Sequence, residues 1–305
     1  MKKILPILAA AAVSAALTAL IMWRFAWPHE DARTDEAAQN MGFGLFSWDS
    51  DVPDSESGRQ ALEQCVERAG VTALYQQFSD EALASGGAEG LVQDMRQSGV
   101  AVYALMGEAE WAYDEDGAEL IEEIEKAASY NRQVGPEDRI AGVVADVEPY
   151  LLDEWDEEGR ERGELMEGYL SGMVCAYQYA SRSGLEFWPC IPMFYDSSAP
   201  EVLEKLIETA CDGVAVMNYN RSDEYGQIAR EIGFAREYGK GIVCIYELQQ
   251  AGEHDLEDIN TYAGEGLEAL WQSAARLDKQ FGYEHLSFAY HYLDPLADML
   301  EDMDQ

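Results

Sequence analysis

From residue 41 onward, apolar runs of strand length alternate with amphipathic stretches of helix length. The runs are Gly42–Trp48, Val71–Phe78, Val100–Met106, Ile140–Glu148, Glu186–Tyr195, Gly213–Tyr219, Gly241–Glu247 and His285–Tyr292. Helical periodicity fills the intervals, at Arg59–Ala69, Gly90–Ser98, Ala118–Asn131, Leu165–Ser181, Pro200–Ala210, Tyr225–Tyr238 and Leu267–Gln280. Gly70, Gly99, Gly184, Gly239 and Gly282 sit where a helix should stop before the next strand. Continuous Val/Ile-rich runs suit strands buried on both faces of a parallel sheet. Strict strand–helix alternation predicts such a sheet, and eight units predict its closure into an α/β (β/α)8 (TIM) barrel over residues 41–305. A doubly wound open sheet is the alternative. It needs a Gly-rich phosphate loop after its first strand, and the chain has Asp49-Ser50-Asp51-Val52-Pro53 there instead.

The N-terminus follows another pattern. Lys2 and Lys3 precede an apolar stretch from Ile4 to Trp23, long enough to cross a hydrocarbon core at about 20 residues. It ends in bulky and aromatic residues (Trp23, Phe25, Trp27) rather than the small residues of a cleavage site. Residues 1–28 are therefore expected to be a transmembrane signal-anchor and 29–40 an acidic tether. The barrel would then lie outside a single-pass membrane anchor, or be secreted if cleavage occurs near Val13-Ser14-Ala15.

Charge narrows the partners. The 305-residue chain carries a formal charge of −39, which repels nucleic acid and anionic lipid. Its acids are spread along solvated helix faces and lack the spacing of a calcium loop. The five cysteines, Cys65, Cys175, Cys190, Cys211 and Cys244, form no CxxC pair, and buried free thiols are expected. A metal-dependent hydrolase barrel would want His-x-His closing its first strand; Phe46-Ser47-Trp48 stands there. No metal and no organic cofactor is expected.

The chemistry is expected where strands end, because strand C-termini in a barrel meet at one face. The run Ile140-Ala141-Gly142-Val143-Val144-Ala145-Asp146-Val147-Glu148-Pro149-Tyr150 stops in two carboxylates one residue apart. Extended backbone points both to the same side. The other ends bring Trp48, Trp111, Tyr195, Asp196, Tyr219, Asn220, Glu247, Tyr290 and His291. Acids with aromatics are what a sugar-cleaving cleft contains: one carboxyl donates a proton, a second group stabilises the oxocarbenium centre, and rings stack on sugar faces. Glu148 is the expected acid, its proton affinity raised by Asp146. Trp48, Trp111, Tyr150, Tyr195, Asp196, Asn220, Tyr290 and His291 are the expected substrate contacts.

Two family resemblances imply different nucleophiles. The stretch from Ala141 to Glu148 resembles the D-x-x-D-x-D-x-E strand of the chitinase-type barrels, glycoside hydrolase family 18. Its glycine and final D-x-E match, while Ala141 and Val144 replace the first two aspartates. Met217-Asn218-Tyr219-Asn220 is similar to that family's M-x-Y-[DN] run. This resemblance implies Glu148 as acid/base, the substrate acetamido group as nucleophile, and Asp146 and Tyr219 as its helpers. Val147-Glu148-Pro149 also resembles the N-E-P of retaining barrels whose nucleophile closes strand seven, which implies Glu247 in that role. Over most of residues 42–296 the chain further resembles a little-characterised group of exported bacterial barrels of glycosidase type, through Asp146–Tyr150 with Trp155, the M-x-Y run, Glu247 and Ala289–Asp294. The expected activity is O-glycosyl hydrolysis of a polysaccharide or cell-wall glycan. The alternative is a non-catalytic carbohydrate-binding or surface protein on a degenerate glycosidase barrel, to which the lost aspartates point.

Overall fold

A computed structural model describes residues 41–156 and 159–303. Eight parallel strands, each bonded to the next, close into a barrel: β1 Phe43–Ser47, β2 Val71–Gln76, β3 Ala101–Met106, β4 Gly142–Ala145, β5 Glu186–Pro192, β6 Gly213–Met217, β7 Gly241–Glu247 and β8 Leu286–His291. Closure comes from β8 pairing β1, with Phe43 beside Phe288 and Leu45 beside Tyr290. Eight main helices form the outer layer: α1 Glu56–Ala69, α2 Gly87–Gln97, α3 Ala118–Gln133, α4 Arg160–Arg182, α5 Pro200–Thr209, α6 Glu224–Tyr238, α7 Leu267–Phe281 and α8 Leu293–Asp302. The (β/α)8 expectation holds. No helix among the described residues is long and apolar enough to cross a membrane; the expected anchor and tether lie outside the described residues.

Local chemistry sets the element ends. Ser55 caps α1 by accepting the Gly58 N–H, and Asp223 caps α6 by accepting that of Gly226. Gly70 and Gly239 take left-handed conformations at the helix exits, as their positions predict. Every strand but β7 is shorter than its expected run, β4 and β5 by the most. The β4 ladder ends at Ala145, although the Asp146 N–H still reaches the Met106 carbonyl at 2.8 Å. The β5 strand ends at Pro192, and Tyr195 opens a short helix to Ser198. The last helix, α8, is not among the expected elements. Leu293, Leu296 and Leu300 are its buried stripe, a helical spacing already present in the sequence.

Alternation divides the strands between two cores. Phe46, Tyr75, Leu105, Val144, Cys190, Ala215, Val243, Ile245 and Ala289 fill the barrel interior. Their odd-and-even partners, such as Leu45, Leu74, Val143 and Tyr290, pack outward against the helices. The lower interior is shaped by Trp188: a Cβ on Gly213 or Gly241 would lie 2.2 or 2.3 Å from its ring. All five cysteines are free, and all but Cys175 are buried.

One buried acid stands without a side-chain hydrogen-bond partner among the described residues. Glu231 on α6 is fully buried, and neither carboxylate oxygen meets a hydrogen-bond donor among the described residues. Burial, reinforced by Asp196, pushes its carboxyl up to about 8. The folded protein therefore holds this proton more tightly than the unfolded chain, whose glutamates titrate near 4.3. The stability this supplies is complete below about pH 4.3 and is lost as pH rises through about 8. We expect Glu231→Gln to lose less melting temperature than the wild type between about pH 5 and pH 9. Parallel melting curves in calorimetry would contradict this.

Candidate active site

Glu148 and Asp146 project from the end of β4 on the inward-facing parity, above Val144. Both are half-buried. Asp146 is held from behind by β3. Gly107 approaches so closely that a Cβ there would lie 2.0 Å from the Asp146 carbonyl oxygen, and only glycine permits this contact. The Oδ1 of Asp146 is buried and meets no donor among the described residues. Glu148 accepts a hydrogen bond from the Tyr150 hydroxyl, which also approaches Met217 Sδ at 3.9 Å. Glu148 makes no ion pair with a described basic residue.

These surroundings favour a retained proton. Burial and then the neighbouring Glu148 push Asp146 up to about 7, against the pull of His291 and the Cys190 thiol. Burial also raises Glu148, opposed by the Tyr150 hydrogen bond and by His291. Both shifts favour the protonated form, and the charge of either carboxyl opposes ionisation of its neighbour.

On the far side of the mouth Glu247, 2% exposed, sits at the end of β7. Its Oε1 accepts the Leu248 and Gln249 N–H groups at 2.9 and 2.8 Å, and its Oε2 faces His291 Nδ1 at 2.8 Å. Burial opposes its ionisation, but His291 and the two amides outweigh that cost and hold it below the usual carboxylate range. Tyr219, half-buried at the end of β6, lies with its ring 5.9 Å from that of His291. Burial and then Glu247 push its hydroxyl well above the usual tyrosine value, so it is neutral and able to donate.

The remaining expected contacts divide. Trp48 packs against the inner core, as Tyr219 and Tyr292 also do. Trp111 lies in the turn Ala109–Tyr113 and lines a side cavity of about 210 Å³ with Phe78, Gly107, Glu108 and Lys126. Tyr150 belongs to an aromatic wall with Trp155 and Phe194, at ring separations of 6.4 and 5.4 Å. Phe194, a surface-exposed ring of that wall, is missing from the expected contacts, although its place just after a strand is visible in the sequence.

Two expected contacts, Tyr290 and Tyr195, do not reach the cleft, and two more, Asp196 and Asn220, are tied to local partners. Tyr290 is fully buried on the outer face of β8, stacked on Phe43 at 4.6 Å. Alternation sends it outward because its neighbour His291 faces in. Its hydroxyl accepts from Trp271 Nε1 at 2.7 Å and donates to the Ala69 carbonyl at 2.9 Å. Tyr195 is also fully buried, drawn under Trp155 by the turn that follows Pro192. Asp196, next on that turn, faces α6, its carbonyl accepting from Arg230 at 2.8 Å. Asn220 closes its own turn, accepting from the Ser222 N–H and hydroxyl at 3.0 and 2.6 Å. We therefore expect Tyr290→Phe to cost about 1–3 kcal/mol in denaturant unfolding, by leaving buried polar partners unpaired, and to leave any activity of the cleft unchanged. A lost activity with unchanged stability would reverse that placement.

No family model matches the chain, and no curated protein matches it. Solved structures do. A chitinase from Bacteroides thetaiotaomicron is similar with a TM-score of 0.52 at 12% identity, over 85% of this chain and 95% of that one. A GH18 chitinase from Pseudoalteromonas aurantia gives 0.52 at 11%, over 86% and 99%. The Bacillus cereus spore cortex-lytic enzyme SleL gives 0.53 at 12%, over 86% and 75%. At such identities the likeness is one of fold. The chain has the closed parallel barrel shared by glycoside hydrolase family 18 chitinases and other glycosidase-like TIM-barrel proteins.

Proposed function

We propose that the protein is a glycoside hydrolase acting on a polysaccharide or cell-wall glycan, with Glu148 as the proton donor to the leaving oxygen. One observation carries this reading: two half-buried carboxyls, Asp146 and Glu148, stand at the open mouth of the barrel with raised proton affinity and no lysine or arginine paired with them among the described residues. An acid that keeps its proton near neutral pH, beside one that can carry negative charge, is what cleavage of an acetal requires. The aromatic wall of Tyr150, Trp155 and Phe194 flanks the acid and suits the apolar face of a sugar ring. The solved chitinases of the same fold are consistent with this reading.

Of the two nucleophiles implied by resemblance, the substrate acetamido group has the better support. Asp146 has an oxygen without a donor, and Tyr219 supplies a neutral hydroxyl from β6. Glu247 has both oxygens engaged and is sealed from the cleft; we assign it to holding His291. Glycans carrying N-acetylated sugars are thus the proposed substrates, met outside the cell by a barrel tethered through the apolar N-terminal stretch. The test is incubation of the purified protein with chitooligosaccharides and with peptidoglycan, followed by assay of new reducing ends. Release is expected; binding of these glycans with no bond broken would favour a binding protein instead.

A further inference from the structure

Tyr219 stands two residues beyond the last ladder position of β6. The Asn218 N–H still reaches the Ile245 carbonyl of β7, at 3.2 Å. Alternation turns Asn218 away from the barrel interior, where its amide donates to the Glu224 carbonyl at 2.9 Å, and turns Tyr219 in. From there the chain is held by a segment that lies far ahead in sequence. Nδ2 of Asn260 donates to the Tyr219 carbonyl at 2.6 Å. Oδ1 of the same amide accepts the Glu257 N–H at 2.9 Å. A carbonyl only accepts and an N–H only donates, so a single orientation of the Asn260 amide satisfies both neighbours. Its donor is thereby fixed on Tyr219.

Arg221 fastens the same two segments. Its N–H donates to the Ile259 carbonyl at 2.9 Å, and its Nη2 to the Asp258 carbonyl at 2.7 Å. Its Nη1 pairs with Glu265 at 2.9 Å, and its guanidinium lies 5.5 Å from the centre of the Tyr262 ring. The segment is also stitched to the end of β7: the Glu247 carbonyl accepts the Tyr262 N–H at 2.9 Å and the Thr261 hydroxyl at 3.2 Å. Residues 258–262 thus bridge β7 and the exit of β6. A loop that only joined β7 to α7 would need none of the bonds to Tyr219 and Arg221.

We propose that Asn260 and Arg221 are positioning residues that hold Tyr219, and with it the tyrosine hydroxyl, at the mouth of the barrel. For its bearing on hydrolysis this rests on the reading of Tyr219 as the acetamido partner; as a statement about placement it stands alone. Asn260→Asp keeps an acceptor for the Glu257 N–H and sets an oxygen that repels the Tyr219 carbonyl where the donor was. The test labels the full chain with 3-fluorotyrosine and follows the ¹⁹F NMR signal of Tyr219, identified by its loss in Tyr219→Phe. Asn260→Asp is expected to displace that signal. It is also expected to lower kcat on chitooligosaccharides by about tenfold to a hundredfold, as a small misplacement at a reacting centre does, with KM changed by less than about threefold. Arg221→Lys leaves a cation for Glu265 but no fork to reach Asp258 as well, and is expected to act in the same direction by less. If Asn260→Asp does not fold, Arg221→Lys decides. An unmoved Tyr219 signal in a variant with the wild-type circular dichroism overturns the proposal. A displaced signal with wild-type kcat upholds the placement and removes Tyr219 from the reaction. A displaced signal in a protein that cleaves no glycan upholds the placement and defeats the hydrolase reading instead.

Discussion

Replacing Glu148 by Gln is expected to lower glycan hydrolysis by about a hundred- to ten-thousand-fold, the usual contribution of a positioned proton donor. The amide keeps the shape of the carboxyl and can still receive the Tyr150 hydrogen bond. Folding and glycan affinity should therefore be retained, and the loss should fall on kcat. The same substitution removes the charge that helps raise the proton affinity of Asp146 above its usual range; burial, the larger cause, remains. Asp146 in the variant should accordingly titrate below about 7. A variant that keeps wild-type turnover would move the proton donor elsewhere. Asp146→Asn would then be the next substitution to assay, since that acid is its partner in the coupled pair.

The second large effect is expected at Gly107, which carries no functional group. A methyl group there would lie 2.0 Å from the Asp146 carbonyl oxygen and 2.9 Å from its Cα. These are backbone atoms, held by the bond from the Asp146 N–H to the Met106 carbonyl, so no side-chain rotation relieves the clash. Gly107→Ala is therefore expected to cost about 1–3 kcal/mol in denaturant unfolding, as overpacking does. It should also displace Asp146 relative to Glu148, and a misplacement of about 1 Å at a reacting centre is enough for roughly a hundredfold loss of rate. The two readouts together identify the contact: lost stability with unchanged activity would mean that β4 yields as a unit without disturbing the acids.

The barrel is legible from residue order because two periods alternate along the chain, and each closes at a glycine or a cap whose reason is local. The acid pair is legible as well, since Asp146 and Glu148 end an apolar run and share a parity. Residues are misplaced where a strand end is treated as a point rather than as an alternating backbone. Tyr290 and His291 cannot act as one group, because consecutive residues within a strand face opposite sides; Tyr290 goes to the outer core. Tyr195 is lost to the cleft because the chain turns after Pro192. The link between Glu247 and His291 is beyond sequence reading for a different reason. It depends on the register that puts these two residues side by side on β7 and β8, and register in a closed barrel is fixed by the stagger of all eight strands together.

The acid site thus arises from a short piece of backbone. Gly107 lets β3 and β4 approach, the β4 ladder ends, and Pro149 begins a tight turn that carries Glu148 and Tyr150 over the mouth. The opposite wall supplies a fixed histidine rather than a free carboxylate. A crystal structure of Glu148→Gln with an N-acetylated oligosaccharide bound tests this arrangement most directly. The glycosidic oxygen is expected within about 3 Å of the substituted amide, with a sugar ring against the wall of Tyr150 and Phe194. A sugar seated elsewhere on the molecule, with the amide still closed off by Tyr150, would contradict it.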